Sequence, residues 1–131
     1  MALNIERIVA TGVFDPPAYS QAIKVTGAQA ILLISGQVDY GDAGQVGHPG
    51  DFAAQARATF AALKAQVEAA GGNIANIVKL NTYLVDVRHR AELAAIREEF
   101  FGKKAPASTL VGVTALAQPG WLIEVEAIAV I

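Results

Sequence analysis

Two acids near the chain's end are the first candidates for chemistry. Glu124 and Glu126 carry the only charges in the stretch from Trp121 to Ile131. Alternate residues of an extended segment share a face. Both carboxylates therefore lie beside Ile128 and Val130, with Ile123, Val125, Ala127 and Ala129 opposite. A carboxylate held in such surroundings can position a water or take a proton from it. Three smaller groups join them. Tyr19 follows Pro16-Pro17-Ala18 and can anchor a loop or offer its ring and phenol to a ligand. Gly36 follows an apolar run, where it can turn the chain or let backbone approach a ligand closely. Ser108 supplies a hydroxyl at the start of another apolar run. Arg88, Arg90 and Arg97 cluster along one segment and read as a solvated helix face. His48 and His89 lie far apart in sequence, one in a glycine-rich loop and one near a helix start, so no zinc site is expected.

Composition narrows the chemistry further. The chain has no cysteine, which removes disulfides, thiolate nucleophiles and cysteine metal sites. Its formal charge is −2, without a run of Lys or Arg. A nucleic-acid groove needs a basic stripe to displace counterions, so no nucleic-acid partner is expected. No apolar run approaches the ~20 residues that span a bilayer. The opening Met-Ala-Leu-Asn-Ile-Glu-Arg breaks the apolar continuity of a signal peptide. The expectation is a cytoplasmic protein with no membrane contact. Its 131 residues suit one domain over 1–131. The hydrophobic fraction of 53% and mean hydropathy of +0.39 exceed what so small a domain can bury alone. The surplus points to subunit interfaces.

The elements that must hold these groups follow from periodicity and punctuation. Ile5–Ala10 and Ala22–Val25 read as short strands flanking a loop with Gly12, Pro16 and Pro17. Ala30–Ser35 reads as a strand buried on both faces and ended by Gly36. Four glycines between Tyr40 and Gly50 predict a long mobile loop. Asp51 is placed to cap a helix over Phe52–Ala70, with Phe52, Ala56, Thr59, Phe60, Leu63 and Val67 on one face. Gly71 and Gly72 stop it. Ile77–Leu84 alternates as a strand. A second helix covers His89–Phe101, with Leu93, Ile96, Arg97 and Phe100 on one stripe; Gly102 and Pro106 close it. Thr109–Val113 and Trp121–Ile131 complete the strands, and Trp121 after Pro119-Gly120 reads as an interface or loop anchor, or as a cleft wall. The predicted class is α+β: one mixed sheet with both helices on one face. Its other face then needs a partner, for which closed cyclic symmetry is the usual solution.

The segments Ala18-Tyr19-Ser20-Gln21-Ala22, Ser35-Gly36-Gln37-Val38, Ile77 through Asp86, Phe100-Phe101-Gly102, Pro106-Ala107 and Ile123 through Ala129 occur in an order and spacing that resembles the Rid, or YjgF, family of reactive intermediate deaminases. The resemblance covers nearly the whole chain. It implies a chorismate-mutase-like fold and a homotrimer whose sheets line a central barrel, with clefts between subunits. The best-known members hydrolyse imine and enamine acids released by pyridoxal-phosphate enzymes to 2-keto acids and ammonia, without a cofactor of their own. By that resemblance Glu124 is the catalytic acid that holds the water, and Tyr19 and Gly36 line the substrate site.

The chain departs from the pattern at one charged position. The family's deaminases read Pro-Ala-Arg-Ser where this chain reads Pro106-Ala107-Ser108-Thr109. Ser108 thus stands where an arginine would hold the substrate carboxylate, and one hydroxyl cannot replace a bidentate guanidinium. Ala94 stands where such enzymes carry an asparagine. The chain resembles the arginine-lacking subgroups. The expected ligand is a small carboxylate or imine metabolite, with weak or altered hydrolysis unless Arg88 or Arg90 reaches the cleft. A non-catalytic metabolite sensor or partner-binding trimer is the alternative; endoribonuclease or translation-inhibitor activity ranks below both.

Overall fold

A computed structural model describes residues 1–103 and 105–131. Six strands and two helices run in the order β1 (Asn4–Ile8), β2 (Ala22–Thr26), β3 (Ile31–Gln37), α1 (Phe52–Ala69), β4 (Ile77–Leu84), α2 (Arg90–Phe101), β5 (Ala107–Gly112) and β6 (Ile123–Val130). The main sheet has the order β3-β6-β4-β5. Its β4–β5 pair is parallel and the other two are antiparallel, so the sheet is mixed. The parallel pair requires a crossover, and α2 supplies it. The first two strands do not join this sheet. They form their own antiparallel ribbon, with Asn4 opposite Thr26 and Ile8 opposite Ala22.

Both helices cover one sheet face. Asp51 caps α1 as its position suggests, its Oδ1 accepting the Ala54 N–H at 3.0 Å. At the other end Gly71 adopts φ 92°, and the Gly72 N–H returns to the Val67 carbonyl at 3.0 Å. That left-handed turn satisfies the last carbonyls and stops the helix. The predicted face of α1 is buried, with Gln55 added to it. Phe60, Leu63 and Val67 meet Leu80 and Leu84 of β4 and Ile123, Val125 and Ala129 of β6 in one core cluster.

The opposite face is open, and this corrects the reading of β3. Ile31 and Leu33 are 69% and 76% exposed, while Ile34 is buried and Leu32 packs against the core. The helices shield one face only, so an all-apolar strand is half covered in a single chain. Ile128 of β6 and Val111 of β5 also lie exposed. Nor does Gly36 end the strand: β3 continues to Gln37 through a register shift between Ile34 and Gln37. Strand β5 begins two residues earlier than its apolar run suggests, which brings Ser108 into the ladder opposite Leu80.

Candidate functional site

Gly36 and Glu124 form one half of the candidate constellation. Glu124 lies opposite Tyr83 of β4, and its side chain folds across the backbone of Gly36. A Cβ built at Gly36 would stand 2.6 Å from Glu124 Cδ and 2.7 Å from Oε2. No L side chain fits there without moving the carboxylate, so the glycine serves close approach and not a turn. Glu126, two residues on, has a different fate. The Tyr83 hydroxyl donates to its Oε1. That hydrogen bond is the main cause that raises the Tyr83 pKa, since losing the proton would set two anions against each other. Glu124 has no hydrogen-bond partner among the described residues. The two acids look alike in sequence, but one is engaged and the other is available.

Tyr19 and Ser108 form the other half, on the other side of the sheet. Ser108 pairs with Leu80, whose side chain is buried beneath the helices, so Ser108 points the same way. Its neighbour Thr109 points to the open face, where its hydroxyl accepts from Lys79 Nζ at 3.1 Å. Tyr19 is carried to Ser108 by ties between its loop and the start of β5. The Ser20 N–H donates to the Pro106 carbonyl at 3.3 Å, and Ser20 Oγ donates to the Ala105 carbonyl at 2.7 Å. Arg7, paired with Asp15, also donates to the carbonyls of Pro16 and Tyr19. The result is a cavity of about 430 Å³ lined by Tyr19, Ser108, Ala94, Leu110, Arg90 and Arg97.

Arg97 corrects a further expectation. It is not on a solvated face but buried, at 9% exposure. Helix α2 buries Leu93, Ile96 and Arg97 together, the three-and-four spacing that defines its inner stripe. The apolar stripe already contained Arg97, and that placement was the better guide than its charge. Burial pushes the Arg97 guanidinium below the ordinary arginine range, and the Tyr19 phenol opposes the shift. Arg88 is committed elsewhere. Its side chain holds Asp86, Nη2 to Oδ2 at 2.7 Å, and the pair drives the Asp86 carboxyl down to about 2. Asp86 in turn caps the short turn ahead of α2. Arg90 is exposed at the cavity rim.

The remaining candidates hold structure together. Trp121 is buried, its Nε1–H donating to the Asp39 carbonyl at 3.1 Å and its ring meeting Tyr40 edge-on. It anchors the glycine-rich loop and is absent from the Tyr19 cavity. His48 Nδ1 lies 2.9 Å from Asp39 Oδ2, and His89 stacks on Phe52. Gln55, which sequence reasoning missed, bonds the carbonyls of His48 and Gly120 and accepts the Leu122 N–H at 2.8 Å. The loop predicted to be mobile is thus tied at both ends. Among the described residues no group of three metal-ligating side chains converges.

The four sequence-predicted site residues therefore form two pairs on opposite faces of one sheet, and a single chain does not bring them together. Residues 15–131 match the family model described as endoribonuclease L-PSP. A RutC family protein of Pyrococcus horikoshii is 37% identical over 111 residues, 85% of each chain. A 2-iminobutanoate/2-iminopropanoate deaminase of Dermatophagoides farinae is 30% identical over 131 residues, covering 98% of this chain and 99% of that one. Among solved structures, the Rid-family protein YyfB of Yersinia pestis superposes with a TM-score of 0.86 at 32% identity, over 98% of this chain and 99% of its own. RidA of Psychrobacter sp. PAMC 21119 gives 0.71 at 32%, over 95% and 94%. Fold, ordered motifs and relatives agree, and the chain belongs to the Rid, or YjgF, family that the endoribonuclease L-PSP model describes.

Proposed function

We propose that this protein is a cytoplasmic homotrimer that hydrolyses small 2-imino acids to 2-keto acids and ammonia in clefts shared between subunits. The observation that carries the reading is the split of the site: an unengaged Glu124 over Gly36 on one face, Tyr19 and Ser108 at a cavity on the other. A shared cleft would join the Glu124 of one protomer to the Tyr19 cavity of the next. The bare apolar face carrying Ile31 and Leu33 is the surface such an assembly would bury.

The chemistry follows from the residues. Tyr19 and the cavity walls would hold the planar imine acid. The Glu124 carboxylate would take a proton from a water as its oxygen attacks the imine carbon. The carbon–nitrogen double bond becomes single and nitrogen takes up a proton. The resulting aminol then expels ammonia and leaves the keto group. Water and imine acid go in, keto acid and ammonia come out, and no cofactor is called for. The Dermatophagoides farinae relative, named for this class of substrate and similar along nearly the whole chain, supports the reading.

The sensor reading keeps one specific support, the absence of arginine at position 108. Endoribonuclease activity has the least, because the net charge is −2 and no basic stripe is present. The test is to supply freshly generated 2-iminopropionate and follow ammonia release beside the uncatalysed rate, with the mass measured by sedimentation. Catalysed release from a particle three times the 13.6 kDa chain is the expected result. No acceleration at any concentration would leave the sensor reading, and a monomer would remove the shared cleft.

A further inference from the structure

The Tyr19 cavity contains a charge that the protein leaves unanswered. Arg97 is more than nine-tenths buried, yet it makes no ion pair or hydrogen bond with any described residue. A buried charge without a partner is costly. Arginines are ordinarily buried against carboxylates, and among the described residues none lines this cavity: the charged residues lining it are Arg90 and Arg97. Glu98 borders Arg97 in a neighbouring depression without bonding to it. The cavity is therefore a cationic pocket with small apolar walls, Ala18, Ala91, Ala94 and Leu110, and two hydroxyl groups, Tyr19 and Ser108. Those walls fit a short aliphatic body, and the guanidinium fits one anionic end.

We propose that Arg97 is the carboxylate-binding residue of this site, supplying from helix α2 the charge that position 108 lacks at the start of β5. This rests on the reading that the cavity takes the substrate acid. It differs from the sequence-based alternatives, since Arg88 is held by Asp86 and Arg90 stands in solvent at the rim. A guanidinium is planar and keeps its charge even when desolvated, so it can seat a carboxylate through two parallel hydrogen bonds. Ala94 leaves room on the same helix face for the acid to reach it. Arg90, two helical turns earlier, assists only weakly because water and salt screen it.

The probe is 2-oxobutanoate, a stable keto acid, titrated calorimetrically into the intact protein, with the neutral 2-oxobutanamide as its charge control. Wild type should bind the acid at least ~10-fold more tightly than the amide. Arg97→Gln should lose at least ~10-fold in acid affinity and the acid-over-amide preference with it. Arg97→Lys should keep part of both, and Arg90→Gln should lose no more than about threefold. Adding Ser108→Arg to Arg97→Gln should restore the preference by moving the charge across the cavity. Folded Arg97→Gln with unchanged acid affinity overturns the assignment. So does wild type that binds acid and amide alike or binds neither, a result that holds even if the Gln variant fails to fold. Imine hydrolysis is scored separately. Turnover that ignores Arg97 sinks this assignment alone, whereas Arg97-dependent binding without turnover sinks the hydrolase reading alone.

Discussion

Glu124 and Arg97 are both charged groups without a bonded partner among the described residues, yet they sit in opposite physical situations. Glu124 lies on the open face of the sheet, half-buried over Gly36 and within reach of solvent. Arg97 is buried on the helix side of the sheet, in the wall of the Tyr19 cavity. Water stabilises the first charge until something covers the open face. The second is desolvated already, in the lone chain. On the proposed function, the acid would act only on assembly, while the buried guanidinium would be a seat already formed in the single chain. A like contrast separates Glu124 from Glu126, two residues apart on one strand, because only Glu126 is met by the Tyr83 hydroxyl.

The largest effect is expected at the open face. Leu33→Lys puts a charge into the bare apolar patch. It should leave each chain folded but convert the proposed trimer to monomers, with loss of essentially all of the proposed turnover. Sedimentation together with circular dichroism checks this, and an active monomer would show that the halves of the site need not meet. Next comes the pair of acids. Glu124→Gln should lower turnover of a confirmed imine substrate by ~10²-fold or more, the usual weight of a positioned acid–base group. Glu126→Gln should stay within about threefold. Equal losses would remove the distinction that the Tyr83 contact draws.

The buried side of the comparison predicts a trade. Arg97→Met keeps volume and removes the unpaired charge, so it should stabilise the protein by roughly 1 kcal/mol while abolishing carboxylate binding. Denaturant unfolding read against acid affinity tests both signs at once. The smallest effect concerns Arg88. With Arg88 present the Asp86 carboxyl is held at about 2, below its ordinary 3.8. A carboxylate whose folded pKa is depressed adds stability above its unfolded value, and that contribution fades as pH falls from near 3.8 toward 2. Arg88→Ala should raise the Asp86 pKa, seen by carboxyl NMR titration, only part of the way, since the backbone N–H of residue 88 still donates. Turnover near neutral pH should not change. A marked loss would mean that Arg88 serves the cleft after all.

Much of the architecture was legible in the chain because local rules wrote it. The Asp51 cap, the inner face from Phe52 to Val67 and the Gly71-Gly72 stop depend on neighbours within a few residues. So does the alternation that sends Ile123, Val125, Ala127 and Ala129 one way and the two acids the other. Ordered motifs also brought out the family and the residues Tyr19, Gly36, Ser108 and Glu124. Tertiary structure decided what those residues meet. Strands β1 and β2 left the main sheet for a ribbon of their own, a choice of pairing partner that propensity does not encode. Gly36 lies under a carboxylate 88 residues away in sequence, which any side chain there would have to displace. Gln55 became a buried clamp between two loops, through His48 of one and Gly120 and Leu122 of the other. Arg97, polar by type, went inside because its place on α2 is the core stripe. Periodicity assigns a side chain to a face, but whether a charge on that face is paired, screened or left open depends on which distant groups the fold brings beside it.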